Sequence, residues 1–279
     1  MKAREFAQIR QLAYETFGLD LRAGKEALVS ARLGKHMRES GCGSFDEYYR
    51  HVVEDPTGEA LVTLIDALTT NHTSFFREPA HFDFLRASVL PQWKDRRSVA
   101  VWSAACSTGE EPYSIAMCLL GELGPFASGM VRILATDIST RVLAQAKRGI
   151  YPAERFEGLP SAQFRKFWLR GERDWAGWYR AKKELRALVE FRRLNLLESL
   201  SQAGVFPLIF CRNVMIYFDK PTQQQVVQRL GECLEPGGYL FIGHAESLNG
   251  IRHGLEYVRP AVYRKASQGE REKGRREPC

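Results

Sequence analysis

The chain has 279 residues, 44% hydrophobic and 26% charged, with a net charge of +7. That is enough for one large domain or two modest ones with a real core, and it excludes a disordered or low-complexity protein. No apolar run approaches the ~20 residues of a membrane span and no signal peptide opens the chain, so a cytoplasmic protein without membrane insertion is expected. The six cysteines form no Cys-x-x-Cys pair and the six histidines no His-Glu-x-x-His pattern. Reduced thiols and no structural metal are therefore expected.

Residues 1–77 read as an all-helical domain. Phe6, Ile9, Ala13 and Phe17 recur at helical spacing until Gly18 stops the element. A second helix near 25–39 sets Val29, Leu33 and Met37 on one face and Arg32, Lys35 and Arg38, a cationic stripe, on another. A third begins at Ser44, with Glu47 completing a capping box. A fourth starts near Pro56 and buries Leu61, Leu64, Ile65 and Leu68. Then comes Asn71-His72-Thr73-Ser74-Phe75-Phe76-Arg77-Glu78, where polar and ionisable groups crowd against two phenylalanines. Helix connections ordinarily carry Gly, Pro and Asp, so this segment is suited to holding a polar ligand. A linking helix is expected over 78–97.

From 98 to 265 strands alternate with helices. Strands are expected at 99–102, 131–135, 205–211, 239–242 and 256–265, and helices at 112–120, 139–147 and 222–234. The alternation predicts an open α/β sheet with a mostly parallel core. It lapses at about 155–193, where Trp168, Trp175, Trp178 and Tyr179 with Gly171 and Gly177 suggest a small antiparallel excursion. The stretch 141–193 holds 14 Lys or Arg against 6 Asp or Glu, which accounts for the net charge. That excess is either a solvated face or an attraction for an acidic macromolecule. Residues 266–279 lack large apolar groups and read as a disordered tail.

The chemistry concentrates at four places. Residues 101–113 (Val-Trp-Ser-Ala-Ala-Cys-Ser-Thr-Gly-Glu-Glu-Pro-Tyr) are strand, small-residue loop and helix start. Small side chains let a ligand approach the backbone, and the first such turn of an open α/β sheet is where nucleotides bind. Gly109 is the only glycine there, and Glu110 and Glu111 would repel a pyrophosphate. A ligand with a positive amino group and no phosphate fits, and S-adenosylmethionine has both properties. Asp137, ending the second strand, can accept hydrogen bonds from both ribose hydroxyls or cap the next helix, a task open equally to Ser139. Asn195, in Leu194-Asn195-Leu196-Leu197, can meet an adenine edge or make a turn. Arg212 and Asn213 follow the third strand and can line the pocket. Tyr217 can face the reacting carbon or be a core aromatic.

In their order and spacing over roughly residues 5–265, these motifs closely resemble the CheR-type chemotaxis receptor methyltransferases. Asn-x-Thr-x-Phe-Phe-Arg and Gly-Glu-Glu-Pro-Tyr are the most specific; Ala135-Thr136-Asp137-Ile138 and Pro236-Gly237-Gly238-Tyr239-Leu240 also match. The resemblance implies an N-terminal helical bundle, a Rossmann-like S-adenosylmethionine-dependent domain and a small inserted antiparallel β-subdomain. It implies methyl transfer to receptor glutamates, leaving S-adenosylhomocysteine. Asn71, Thr73, Arg77, Glu111, Asp137, Asn195, Leu196, Arg212 and Asn213 would contact the cofactor. Arg77 and Tyr217 are expected to position the reactants, and Arg32, Lys35 and Arg38 to meet acidic receptor helices. In some family members the β-subdomain docks a receptor C-terminal peptide through a glycine-rich turn; here that turn is Arg170-Gly171-Glu172-Arg173, with one glycine. No separate RNA-binding motif and no Asn-Pro-Pro-Tyr-type motif accompany these elements, so nucleic acid is not an expected partner. Nothing demands more than a monomer.

Overall fold

The N-terminal apolar stripes close on one another as α1 (Ala3–Phe17), α2 (Glu26–Glu39), α3 (Phe45–Glu54) and α4 (Glu59–Leu68). The computed structural model describes residues 1–70, 72–124, 129–159 and 166–267. Ile9, Phe17, Leu33, Tyr48, Leu64 and Leu68 meet in the core of these helices. Ser44 caps α3 by accepting from Glu47 N–H at 3.3 Å, but the Glu47 carboxylate returns to Gly43 N–H, so the box is displaced by one residue. The fourth helix starts later than expected. The Asp55 carboxylate holds the N–H groups of Thr57 and Ala60, and Gly58 takes the left-handed conformation that begins the helix.

The expected linking helix is broken into α5 (Pro79–Phe84), a π turn at Leu85–Val89 and a 3₁₀ turn at Leu90–Trp93. Pro91 has no N–H for the preceding turn, which disrupts the α pattern there.

In chain order the following strands are β1 (Val99–Ala104), β2 (Val131–Asp137), β3 (Ile150–Pro152), β4 (Trp168–Arg170), β5 (Trp178–Ala181), β6 (Val189–Arg193), β7 (Phe206–Cys211), β8 (Leu234–Phe241), β9 (Leu255–Arg259) and β10 (Val262–Lys265). Helices α6 (Glu110–Leu123), α7 (Thr140–Arg148), α8 (Lys183–Arg186) and α9 (Lys220–Glu232) separate them. One sheet of seven strands runs β6-β2-β1-β7-β8-β10-β9. It is parallel from β6 to β8 and antiparallel at β10 and β9. Alternate residues face opposite sides: Val101, Ile133 and Leu208 meet α6, whereas Trp102, Leu134 and Ile209 meet α9. The buried Trp102 indole donates to Thr136 Oγ1 at 2.9 Å, which keeps its polar atom satisfied. β2 and β6 lie on one side of β1 and β7 on the other. The chain therefore opens a crevice at the carboxyl ends of β1 and β7, where sheets of this type bind ligands.

β3, β5 and β4 form a separate antiparallel sheet. This excursion starts earlier than position 155 and ends before β6, which pairs parallel with β2 and belongs to the main sheet. β6 escapes the sequence pattern because it is an edge strand carrying Glu190, Arg192 and Arg193, which tolerate its wet side. The single strand expected over 256–265 is a hairpin that reverses at Ala261, a residue with φ of 63°. The tail from residue 268 lies outside the described residues.

Candidate active site

The crevice is concave and open at its mouth, lined by apolar side chains with a few convergent polar groups, the usual make-up of a small-molecule site. Thr73, Arg77, Glu111, Asp137, Asn195, Leu196, Arg212, Asn213 and Tyr217 all line it. Asn71 lies outside the described residues. Arg32, Lys35 and Arg38 do not reach it.

The floor is the loop after β1. A Cβ on Gly109 would stand 2.7 Å from Tyr151 Oη and 2.8 Å from Ala146 Cβ, which explains the one glycine in that loop. Ala105, Ser107, Glu78 and Asn213 all take left-handed backbone around the crevice without being glycine. Strain of this kind costs ~1–3 kcal/mol per residue and collects at functional sites.

The two adjacent glutamates part company at the start of α6. Glu111 faces the crevice, accepting from Ser103 Oγ at 2.6 Å and Arg212 Nη1 at 3.1 Å. Glu110 is fully buried elsewhere, accepts from Thr108 Oγ1 at 2.6 Å and stands 3.8 Å from Arg155. Burial raises both carboxyls above their ordinary range, opposed by Arg212 at Glu111 and by the Thr108 hydroxyl at Glu110.

Arg212 is the central cation, its side chain 2% exposed and held between Glu78 at 3.0 Å and Glu111 at 3.1 Å. It also donates to Arg77 O. Burial pushes the Glu78 carboxyl up, but Arg212 and further hydrogen bonds outweigh it and hold Glu78 below the usual range. Those bonds come from Asn213 Nδ2 at 3.3 Å and His244 N–H at 3.2 Å. Glu78, His81 and His244 bring ligand atoms within 4.8 Å of one another, a spacing a metal could use. The Glu78 oxygens are already engaged, however, so the carboxylate acts as a brace for Arg212. Burial and nearby Arg212 push His81 down to about 3, leaving it neutral.

Asp137 accepts Ser107 N–H at 2.8 Å and Ser139 N–H at 3.0 Å. Ser139 Oγ itself caps α7 through Val142 N–H, so capping does not occupy Asp137. Burial, aided by the Asp66 charge and opposed by the backbone N–H groups, pushes Asp137 up to about 6. Asn195 makes its turn, accepting Leu197 N–H at 3.1 Å, donates to Thr16 O at 3.0 Å, and still lines the crevice.

The segment after α4 is strapped across the mouth. Tyr217 Oη accepts Thr70 N–H at 3.0 Å and donates to Thr70 O at 3.1 Å. Arg77 Nη1 donates to His72 O at 2.7 Å, and Arg155 to Thr73 O at 3.0 Å. Phe75 stacks on Phe156 at 4.7 Å and meets Trp168 edge-on at 5.2 Å, anchoring the strap to the small sheet. Tyr217 also lines a second groove, edged by Arg22, Lys25, Leu28, Arg32 and Ile216. Arg32 donates to Leu68 O and Thr70 Oγ1. Lys35 and Arg38 are exposed farther along α2, Lys35 standing 3.7 Å from Glu39.

Sequence patterns missed the crevice wall supplied by Phe17, Leu19, Ile65 and Asp66. The apolar members look like ordinary core; Asp66 alone left a signal, as a carboxylate inside the run Leu64-Ile65-Asp66-Ala67-Leu68.

An open, mostly parallel sheet whose switch-point crevice is floored by small residues and lined by carboxylates defines an S-adenosylmethionine-dependent methyltransferase. Residues 71–263 match the family model "CheR methyltransferase, SAM binding domain", and residues 4–69 match "CheR methyltransferase, all-alpha domain". The chain belongs to the CheR methyltransferase family. It is 45% identical over 260 residues to chemotaxis protein methyltransferase 2 of Pseudomonas aeruginosa, covering 93% of this chain and 92% of that one. Identity to the chemotaxis protein methyltransferase of Klebsiella aerogenes is 43% over 259 residues, covering 92% and 88%. The Borreliella burgdorferi chemotaxis protein methyltransferase is 38% identical over 269 residues, 94% of each chain. No helix among the described residues is long and apolar enough to cross a membrane.

Proposed function

We propose that this enzyme methylates glutamate side chains of chemoreceptors, acting in the cytoplasm as a monomer. The observation that carries the proposal is the position of Tyr217, shared between the acid-lined crevice and the groove edged by Arg22, Lys25 and Arg32. Residues of the first would hold the cofactor, and the cationic edge of the second would take an acidic receptor helix beside it. A glutamate, with a pKa near ~4.3, is already ionised at neutral pH and needs no general base. S-adenosylmethionine, when bound, would supply the methyl group that such an oxygen accepts and would be left as S-adenosylhomocysteine. Catalysis then rests on positioning. Thr73, Arg77, Glu111, Asp137, Asn195, Leu196, Arg212 and Asn213, with Asn71, are the proposed cofactor contacts.

The direct test is transfer of labelled methyl from S-adenosylmethionine to purified receptor signalling domains, followed by alkaline hydrolysis. Methanol released by base establishes a glutamyl ester; base-stable label, or label only on added RNA, rejects the proposal. Arg77→Ala is expected to lower turnover by about 10²-fold and Tyr217→Phe by about tenfold, the scale of reactant misplacement. Wild-type turnover and affinity in both variants would remove them from the catalytic assignment.

The finer substrate contacts follow from charge. Arg32 braces Thr70, so the separable part of the stripe is Lys35 and Arg38. Reversing both to Glu is expected to raise the receptor KM severalfold, more at low salt, with the KM for S-adenosylmethionine unchanged. An unchanged receptor KM would make the stripe plain surface. For a receptor C-terminal peptide the proposed dock is the turn at Gly171, where a Cβ would meet Trp175 O at 2.1 Å. Inhibition of transfer by such a peptide in trans checks this.

A further inference from the structure

We propose that Asp66 is a positioning residue for cofactor binding: from α4 it holds Ser139 and Arg141 across the domain boundary, and so sets the place of Asp137 in the crevice. This rests on the reading of Asp137 as the ribose contact. The Asp66 side chain is 3% exposed, yet it lies in a helix whose neighbouring Leu64, Ile65 and Leu68 belong to the N-terminal core. A carboxylate at such a position is costly unless it is paired and hydrogen-bonded. Two of its partners lie in the catalytic domain. Oδ2 accepts from Ser139 Oγ at 2.9 Å and from Arg141 Nε at 2.9 Å. Ser139 in turn gives its N–H to Asp137 Oδ1 at 3.0 Å and caps α7 through its hydroxyl. One serine thus carries the helix start, the cross-domain carboxylate and the proposed ribose carboxylate.

Two features separate this arrangement from an ordinary domain tie. Asp66 itself lines the crevice beside Asp137 and Ile138, so its placement is felt where the nucleoside would lie. Its charge also faces Asp137. The titratable and charged groups near Asp137 include Asp66 from α4, Cys106 from the loop after β1 and Arg193, its register partner on β6, with Arg141 of α7 bound to Asp66. Removing the Asp66 charge therefore eases ionisation of Asp137, while removing its hydrogen bonds loosens Ser139. The two effects act on different observables.

The test uses the full chain with Asp66→Asn, Asp137→Asn, the double variant and Arg141→Ala. Affinity for S-adenosylhomocysteine is measured by calorimetry from pH 5.5 to 8, with kcat, KM and the thermal midpoint alongside. At pH 8 Asp66→Asn is expected to weaken binding at least about threefold, the lower range for contacting networks. The KM for S-adenosylmethionine should rise more than kcat falls. The acid limb of binding should move to lower pH, and the double variant should lose less than the two single losses combined. Arg141→Ala, a change at a mostly exposed side chain, should act in the same direction at pH 8 and covers the case in which Asp66→Asn does not fold. A lowered midpoint with unchanged affinity and pH profile would overturn the proposal and leave Asp66 as a tie between domains. Wild-type affinity in Asp137→Asn would instead overturn the ribose reading on which it stands.

Discussion

Replacing Arg212 by alanine should both destabilise the protein and abolish cofactor binding. The guanidinium is buried between Glu78 and Glu111, and removing one member of a buried ionic cluster typically costs ~3–5 kcal/mol, because the opposite charges are left uncompensated. The loss has a definite pH sign. Without Arg212 the effect of burial, which raises both carboxyls, loses its main opponent, so their ionised forms favour folding less than in the intact protein; the destabilisation is expected to be largest near pH 8 and to shrink as pH falls toward 5. Thermal unfolding at the two pH values checks this. Adding Glu78→Gln and Glu111→Gln to Arg212→Ala should recover much of the midpoint but none of the binding. A midpoint unchanged by Arg212→Ala would show that the cluster carries no such load.

Binding of S-adenosylhomocysteine should weaken as pH falls through about 6, where Asp137 takes up its proton in the free protein. Ribose hydroxyls donate to the ionised carboxylate, so binding below that pH requires release of a proton, and affinity falls by up to about tenfold per unit. Stability of the unliganded protein moves the other way. A carboxyl raised in the folded state favours folding while protonated, and that contribution fades as pH rises from the ordinary ~3.9 through 6. Calorimetry in buffers of different ionisation heat separates the two. Asp137→Asn should bind weakly at pH 8 and show no break near 6. A break that survives this substitution would assign the titration to another group.

Much of this site was legible in the chain because its chemistry is local in sequence. Val101 through Tyr113 read as a strand, a small-residue loop and an acidic helix start, and the structure bears this out. The helices of the first domain followed from spacing, since one face of each must be buried. β6 was missed because an edge strand can be charged without cost, and the interruption after α5 because the reading by helical spacing passed over its one signal, Pro91. The adjacency of Glu110 and Glu111 also hid a division of labour: one helical step rotates one carboxylate into the crevice and the other into the interior.

The sequence by itself determined the fold class, pointed to the cofactor chemistry and named nine of the residues that line the crevice, because small residues and carboxylates at strand ends and helix starts carry a chemical meaning that is local in the chain. Only the tertiary structure decided that Arg212 is clamped by Glu78 and Glu111, that Tyr217 ties down Thr70, and that Asp66 reaches Ser139 and Arg141. The physical reason is that these pairs span long stretches of chain. Their strength depends on burial and angstrom-scale approach, neither of which a residue's identity or its neighbours in sequence can set.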